Sequence, residues 1–347
     1  MIGKNLKYYR LKNNMSMKDL ADRSGISAMS ISYYEKGDRR PSQTVLKNLA
    51  AALDIKVTDF LSRREETLVF EHGEFRKNSR LSNRQQEYIR EEAEEYFGRY
   101  YQAAQLIGGN ALPEIPEKHH LKFSDNTEEC AKAVRSYLNM SECGPVGNLV
   151  ELIENKGILL YFCYIDNDDF SGMNGTVNGR PYIIVNSKMS PERSRSNMAH
   201  ELVHIIFDPE DIPEKELERR VAAISGAFLF PAIDAERELG VRRNQVTNDM
   251  VSVCREYGIS MYMLVMRANI LNIINDTAAK TFYINANKAG WRKGEPHRIS
   301  AEEPRLFNQL VYRAVCENMI TVQKGAEILK VPYKDVLYNC TALDMRG

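Results

Sequence analysis

Asn197–Phe207 reads NMAHELVHIIF, and the reading of this stretch decides the fold. Apolar residues surround two histidines and one glutamate: Met198, Ala199, Leu202, Val203, Ile205, Ile206 and Phe207. His200 and His204 are four apart, so on a helix they differ by about 40° and project from one face. Two imidazoles so placed reach one ion, with Zn–N distances near ~2.0–2.1 Å. Glu201 is rotated about 100° from His200. That position suits it to take a proton from a water held by the ion rather than to ligate. A bound zinc ion would lower the pKa of that water towards ~7. The competing arrangement is a pair of core histidines satisfied by backbone carbonyls, with Glu201 in an ion pair. A polar stripe in so apolar a helix is costly without partners, which favours the metal site.

A hydrolytic zinc site needs a third protein ligand and an open position. The next predicted helix, PEKELERRVAAISGAFLFP, offers Glu214, Glu216 and Glu218. Val221, Ala222 and Ile224 follow Glu218 at steps of three, four and six, so Glu218 shares the core-facing side. Glu214 lies one turn earlier at the helix start, and Glu216 points elsewhere. Glu218 is therefore the preferred ligand. Upstream, GILLYFCYI reads as a buried strand, and PYIIVN as a second strand after the Gly-rich stretch GMNGTVNGR. Tyr182, Ile183, Ile184, Val185 and Asn186 form a candidate edge strand that could hold an extended peptide by main-chain hydrogen bonds. An ordinary core strand is the equal alternative. His297 and Tyr161 are candidates for stabilising a tetrahedral oxyanion.

The first 61 residues have a different grammar. Short helices are expected over 4–13, over SMKDLADRSG with Ser16 as N-cap and Gly25 as stop, over SAMSISYYEKG capped by Ser27, and from Pro41 through PSQTVLKNLAAALDI. Two helices around a glycine-containing turn make a helix-turn-helix. Residues 1–64 carry 13 Lys+Arg against 6 Asp+Glu, while the whole 347-residue chain is neutral. A basic module on an acidic body directs only the front end to a polyanion.

Two family resemblances sharpen these readings. Residues 1–61 resemble the XRE/Cro repressor family through Leu20-Ala21, Gly25, Ser27, Ile31-Ser32, Glu35, Gly37 and Pro41. The resemblance implies that the helix starting at Ser27 enters the DNA major groove. Its outward Ala28, Met29, Ser30 and Tyr33 would face bases, and Lys36, Arg39 and Arg40 would face phosphates. The family's frequent Gln near the start of the second helix is Met17 here. Residues 124–235 resemble the ImmA/IrrE metallopeptidases, and 246–275 continue the likeness weakly. There the strand ending at Val185-Asn186, the helix with His200, Glu201 and His204, and the closing Leu229-Phe230-Pro231 stand in the family's order. Glu218 falls on the family's ligand glutamate. Val221-Ala222 and Ile224 depart from the pattern beside it.

The expected fold class is mainly α with a small β-sheet, an α+β zincin-like core, plus an all-α N-terminal helix-turn-helix domain. The expected domains are 1–61 for DNA binding, a linker over 62–78, a long helix and loop over 79–123, the peptidase-like domain over 124–275, and a small helical region over 276–347. Within the last, ITVQKGAEILKVPYKDVLYN resembles a second small helix-turn-helix, read here as a structural cap or partner-binding unit, with DNA binding as the alternative. Adjacent His119 and His120 read as a solvated loop, since neighbours chelate one ion poorly. The Tyr-rich helix over 84–106 reads as core or dimer interface.

Composition narrows the classes. The six cysteines, Cys130, Cys143, Cys163, Cys254, Cys316 and Cys340, make no C-x-x-C pair, so a thiolate zinc knuckle and a disulfide framework are not expected. MIGKNLKYYR is not followed by an apolar signal-peptide core, and no apolar run is long enough for a membrane span. Together the resemblances imply a cytoplasmic, homodimeric transcription regulator bound to a double-stranded operator. Its zinc-dependent endopeptidase domain would cut a protein, a helix-turn-helix repressor, in a stress or mobile-element response. A two-His, one-carboxylate set also suits manganese. The alternative is a repressor or antitoxin whose zinc domain is a sensor or structural body.

Overall fold

The computed structural model describes residues 1–62, 68–73, 81–108, 111–117, 121–209, 212–292, 294–296 and 298–341. The chain is mainly helical with a small sheet, and it divides into two compact units. The smaller unit combines Met1–Ala111 with Phe307–Gly347, and the larger is Leu112–Leu306. The segment 276–347, expected as one region, is thus divided between the two.

The smaller unit begins with α1 (Ile2–Lys12), α2 (Met17–Ser24), α3 (Ala28–Lys36) and α4 (Gln43–Leu53), closed by a 3-10 turn at Val57–Leu61. Each start has a local cause. The Ser16, Ser27 and Ser42 hydroxyls accept from the backbone N–H groups of Asp19, Ser30 and Val45. Ser42 caps α4, so Pro41 lies outside the helix rather than opening it. Gly25 ends α2 at φ 70°, a left-handed stop that disfavours a side chain. Leu6, Leu20, Ile31, Leu49 and Phe60 are fully buried in this core. The Arg10 guanidinium donates to both oxygens of Glu35 at 2.6 and 2.8 Å, locking α3 to α1. At Gly3 a Cβ would stand 2.4 Å from the Tyr34 carbonyl oxygen, so only glycine permits this approach of α1 to α3.

The expected linker is not wholly structureless, since Phe70–His72 forms a three-residue strand, β1. The long helix α5 (Asn83–Ile107) follows, opened by a Ser82–Gln85 capping box. Lys7 of α1 pairs with Glu87 and Glu91 of α5 at 2.8 and 3.0 Å.

In the larger unit, α6 (Thr127–Tyr137) and α7 (Leu149–Asn155) precede strands β2 (Leu159–Cys163), β3 (Gly172–Val177) and β4 (Arg180–Asn186). β2 runs parallel to β4 with Leu160 opposite Ile183, and β3 runs antiparallel with Asn174 opposite Ile183. Most of the Gly-rich stretch GMNGTVNGR, from Gly172 to Val177, is therefore strand. The turn is only Asn178-Gly179, at φ 50° and 76°, the two-residue left-handed connection that suits a twisted hairpin. Helices α8 (Pro191–Ile206), α9 (Glu214–Leu229), α10 (Ala232–Leu239), α11 (Met250–Tyr257), α12 (Met261–Ile270) and α13 (Asp276–Lys288) complete the unit. One core joins the strands to these helices through Leu160, Ile183, Val185, Met198, Leu202, Val221 and Phe228.

The last three helices, α14 (Leu306–Cys316), α15 (Val322–Leu329) and α16 (Tyr333–Cys340), surround a small core of Val315, Ala326 and Val336. In the smaller unit α15 rests on α5. Arg99 of α5 donates to the Ile328 carbonyl, and Lys330 reaches Glu95 at 2.8 Å.

Candidate metal centre and nucleic-acid interface

Helix α8 owes its place to its inward face. Met198, Ala199, Leu202, Val203 and Ile206 are buried against the sheet and neighbouring helices, so the other faces of the same turns remain for polar groups. Its first turns are held by Glu192, which accepts from the Ile299 N–H, and by Arg195, which pairs with Glu302. Arg195 also donates to the Val146 and Gly147 carbonyls.

His200 and His204 project towards α9, their Nε2 atoms 3.2 Å apart. Glu218 lies opposite, its Oε2 3.3 Å from His200 Nε2 and its Oε1 3.2 Å from His204 Nε2. These distances provide a test of metal fit. Ligands about 2.1 Å from a tetrahedral ion stand about 3.4 Å from one another. The three donor atoms are therefore spaced like one face of such a tetrahedron, and their types suit zinc. The other glutamates of α9 are placed differently. Glu216 is engaged by Arg219 and Arg220 at 2.8 and 3.0 Å, and hydrogen bonds from both hold its carboxyl down near about 2. Glu214 is exposed at the helix start.

Glu201 turns away from this trio towards β3. It is buried, and its Oε2 accepts from Asn174 Nδ2 at 2.8 Å. Gly172, on the same strand, permits the close pairing of β3 with β4 beside Glu201. A Cβ there would stand 2.7 Å from the Ile184 carbonyl oxygen and 3.7 Å from the Glu201 carboxylate. Sequence alone does not single out Asn174. Its local signal is the alternation of GMNGTV, which the glycines mask.

Beside His204 opens a cleft of about 310 Å³, bounded by Asn174, Thr176, Pro181, Tyr137 and Phe207. The edge-strand expectation for Tyr182, Ile183, Ile184, Val185 and Asn186 is corrected here. β4 is hydrogen-bonded to β2 on one side and β3 on the other, and its side chains from Tyr182 to Asn186 are buried. Its main chain has no free edge to offer a peptide. Asn186 instead ties a loop: its Nδ2 donates to the carbonyls of Ile165, Asn167 and Phe170. Tyr161 sits on β2, separated by β4 from the strand that meets Glu201. His119, His120 and His297 lie outside the described residues.

In the N-terminal domain, α3 presents Met29 and Tyr33 to solvent, with Met29 69% exposed. Ser27 and Ser30 are bonded to each other at 2.9 Å, and Ala28 is half-buried between them. Lys36, the last residue of α3, and Arg39 and Arg40 beyond it are exposed, and the Arg39 guanidinium lies 5.9 Å from the Tyr33 ring centre. The buried side of the same helix carries Ile31 and Tyr34.

Comparison with known proteins agrees with this division. Residues 6–60 match the helix-turn-helix family. Residues 153–269 match a peptidase family described as the IrrE N-terminal-like domain. The chain thus carries a helix-turn-helix domain of the DNA-binding kind followed by a peptidase-family domain. It is also similar to the HTH-type transcriptional regulator SinR of Bacillus licheniformis and that of Bacillus subtilis (strain 168). Each is 32% identical over 68 residues, 19% of this chain and 61% of the relative. The chain therefore spans about three-fifths of the length of these curated relatives. Among the described residues, no helix is long and apolar enough to cross a membrane.

Proposed function

We propose that the protein is a DNA-binding transcription regulator whose second domain is a zinc-dependent endopeptidase acting on a helix-turn-helix repressor. The observation that carries the enzymatic half is the trio His200, His204 and Glu218, with donor atoms at 3.2 and 3.3 Å beside a buried, hydrogen-bonded Glu201. His200, His204 and Glu218 would hold the ion, with manganese as the substitute the same donors accept. When bound, the ion supplies Lewis acidity to a water and to the scissile carbonyl.

Glu201 then takes the proton of the attacking water and passes it to the departing amide nitrogen. Asn174 holds the carboxylate in place by donating to one oxygen, leaving the other for the water. The cleft beside His204 receives a side chain of the substrate. At the front end, Ser27, Ala28, Met29, Ser30 and Tyr33 meet the major groove of the operator, and Lys36, Arg39 and Arg40 meet phosphates. The protein binds its operator as a homodimer and works in the cytoplasm. Tethering the peptidase to an operator raises its effective concentration towards a repressor on the same DNA.

The decisive experiment compares wild type with Glu201→Gln. Metal analysis should give one zinc per chain in both. Cells with the wild type should accumulate a shortened repressor, and cells with Glu201→Gln should not. Equal cleavage by the variant overturns the mechanism. Full operator control by the variant with no cut product in either strain supports the second reading, a repressor or antitoxin with a sensor or structural zinc domain. The partial likeness to SinR, a transcriptional regulator, supports that second reading.

A further inference from the structure

Among the six cysteines, Cys130, Cys163 and Cys254 are buried in the larger unit. Cys254 is spent on a contact with the Met261 sulfur at 3.3 Å. Cys316 and Cys340 differ from these. Cys316 ends α14 and is exposed, while Cys340 ends α16 and is half-buried. Their thiols are within hydrogen-bonding reach of each other. Cys340 Sγ also lies 3.8 Å from the carbonyl of Tyr312, one turn before Cys316 on α14.

The surrounding packing fixes this approach. Gly325 of α15 lets α14 and α16 close in, since a Cβ there would stand 2.9 Å from a Val315 methyl and 3.2 Å from a Val336 methyl. Val315 immediately precedes Cys316, and Val336 lies one turn before Cys340. The two thiols are therefore held at one end of the three-helix element by its own small core.

We propose that Cys316 and Cys340 are a modification site: under peroxide they form an intramolecular disulfide that joins the first and last helices of the C-terminal trio. The exposed Cys316 meets the oxidant first. Its thiolate attacks hydrogen peroxide, giving a sulfenic acid and one water. The Cys340 sulfur then attacks the Cys316 sulfur, and the hydroxyl leaves as a second water. Two thiols and one peroxide become one disulfide and two waters. Burial and the neighbouring Cys316 thiol push the Cys340 thiol up to about 11, which assigns it the second, resolving role.

The staple would act where α15 meets the DNA-binding domain. Lys330, at the end of α15, lies 5.3 Å from the Tyr8 ring centre of α1 and 2.8 Å from Glu95 of α5. Closing the loop from 316 to 340 restrains the unfolded chain and so stabilises this contact element.

The test uses the full chain, reduced and then treated with stoichiometric hydrogen peroxide. Peptide mapping by mass spectrometry should find a Cys316–Cys340 cross-link, with Cys130, Cys163 and Cys254 still reduced. The first melting transition should rise by roughly 5 °C and return on adding dithiothreitol. Cys316→Ser and Cys340→Ser should each abolish the rise, and Cys143→Ser should keep it. Sulfinic or sulfonic acid at Cys316 with Cys340 still reduced overturns the proposal. So does a disulfide found only between two chains.

Discussion

Asn174 has no place in a His-Glu-x-x-His pattern, yet its amide nitrogen is 2.8 Å from the Glu201 carboxylate. It touches the proposed base rather than the reacting atoms, so its role is to position. Asn174→Ala should lower kcat for repressor cleavage by about 10- to 100-fold, with zinc content and melting temperature unchanged. A fall in kcat accompanied by zinc loss or a lower melting point would assign Asn174 to the fold instead. At this scale the sequence is legible where chemistry and period coincide. His200, Glu201, His204 and Glu218 come from two successive helices, and a period of 3.6 is enough to put them in order. Asn174 reaches Glu201 across 27 positions from a strand. No local period reports such a pairing.

The helices are legible because their ends carry physical punctuation. Ser16, Ser27, Ser82 and Gly25 stand where caps and stops are required. The strands are less so. Tyr182 to Val185 is an unbroken apolar run, and such a run reads alike for an edge strand with one covered face and a central strand covered on both. Only pairing on both sides of β4 decides the matter.

Helix α5 supplies an element-scale prediction. Burial opposes ionisation of Glu95, but Arg99 and Lys330 outweigh it and hold the carboxyl below the usual range. Burial lowers Lys330, and Glu95 offsets part of that. Because the folded-state pKa of Glu95 lies below its unfolded value, its stabilising contribution is complete above the ordinary carboxylate range. It is lost as pH falls through the folded value. Glu95→Gln leaves Arg99 and Lys330 facing each other with only the weaker pull of the Glu92 carboxylate. It should cost about 1–3 kcal/mol at pH 7, less than a fully buried pair because the Lys330 side chain is partly exposed, and flatten the acid limb of the smaller unit's stability curve. Urea unfolding between pH 3 and 7 measures both effects.

At the scale of the molecule, charge divides the labour. The excess of cations sits within residues 1–64, and Arg39 and Arg40 are exposed at the end of α3. Replacing both by alanine should reduce the slope of log K against log salt for operator binding by about 1.8, at ~0.9 for each phosphate that is no longer neutralised. Affinity should fall alike for operator and random DNA, as measured by fluorescence anisotropy from 50 to 200 mM salt. Met29→Ala should change sequence preference and leave the slope alone.

The smaller unit, built from Met1–Ala111 and Phe307–Gly347, also imposes an order in time. A ribosome delivers the helix-turn-helix and α5 first, then the whole of the larger unit, and only then α14 and α15, whose Phe307 and Ile328 meet α5. The proposed metal ligands, all within positions 200–218, can assemble on the nascent chain while Glu95 and Arg99 still await Lys330 and Ile328. During that interval the helix that anchors the DNA-binding domain exposes an ionic and aromatic face to water, so α5 is where a chaperone would find this protein still unfinished.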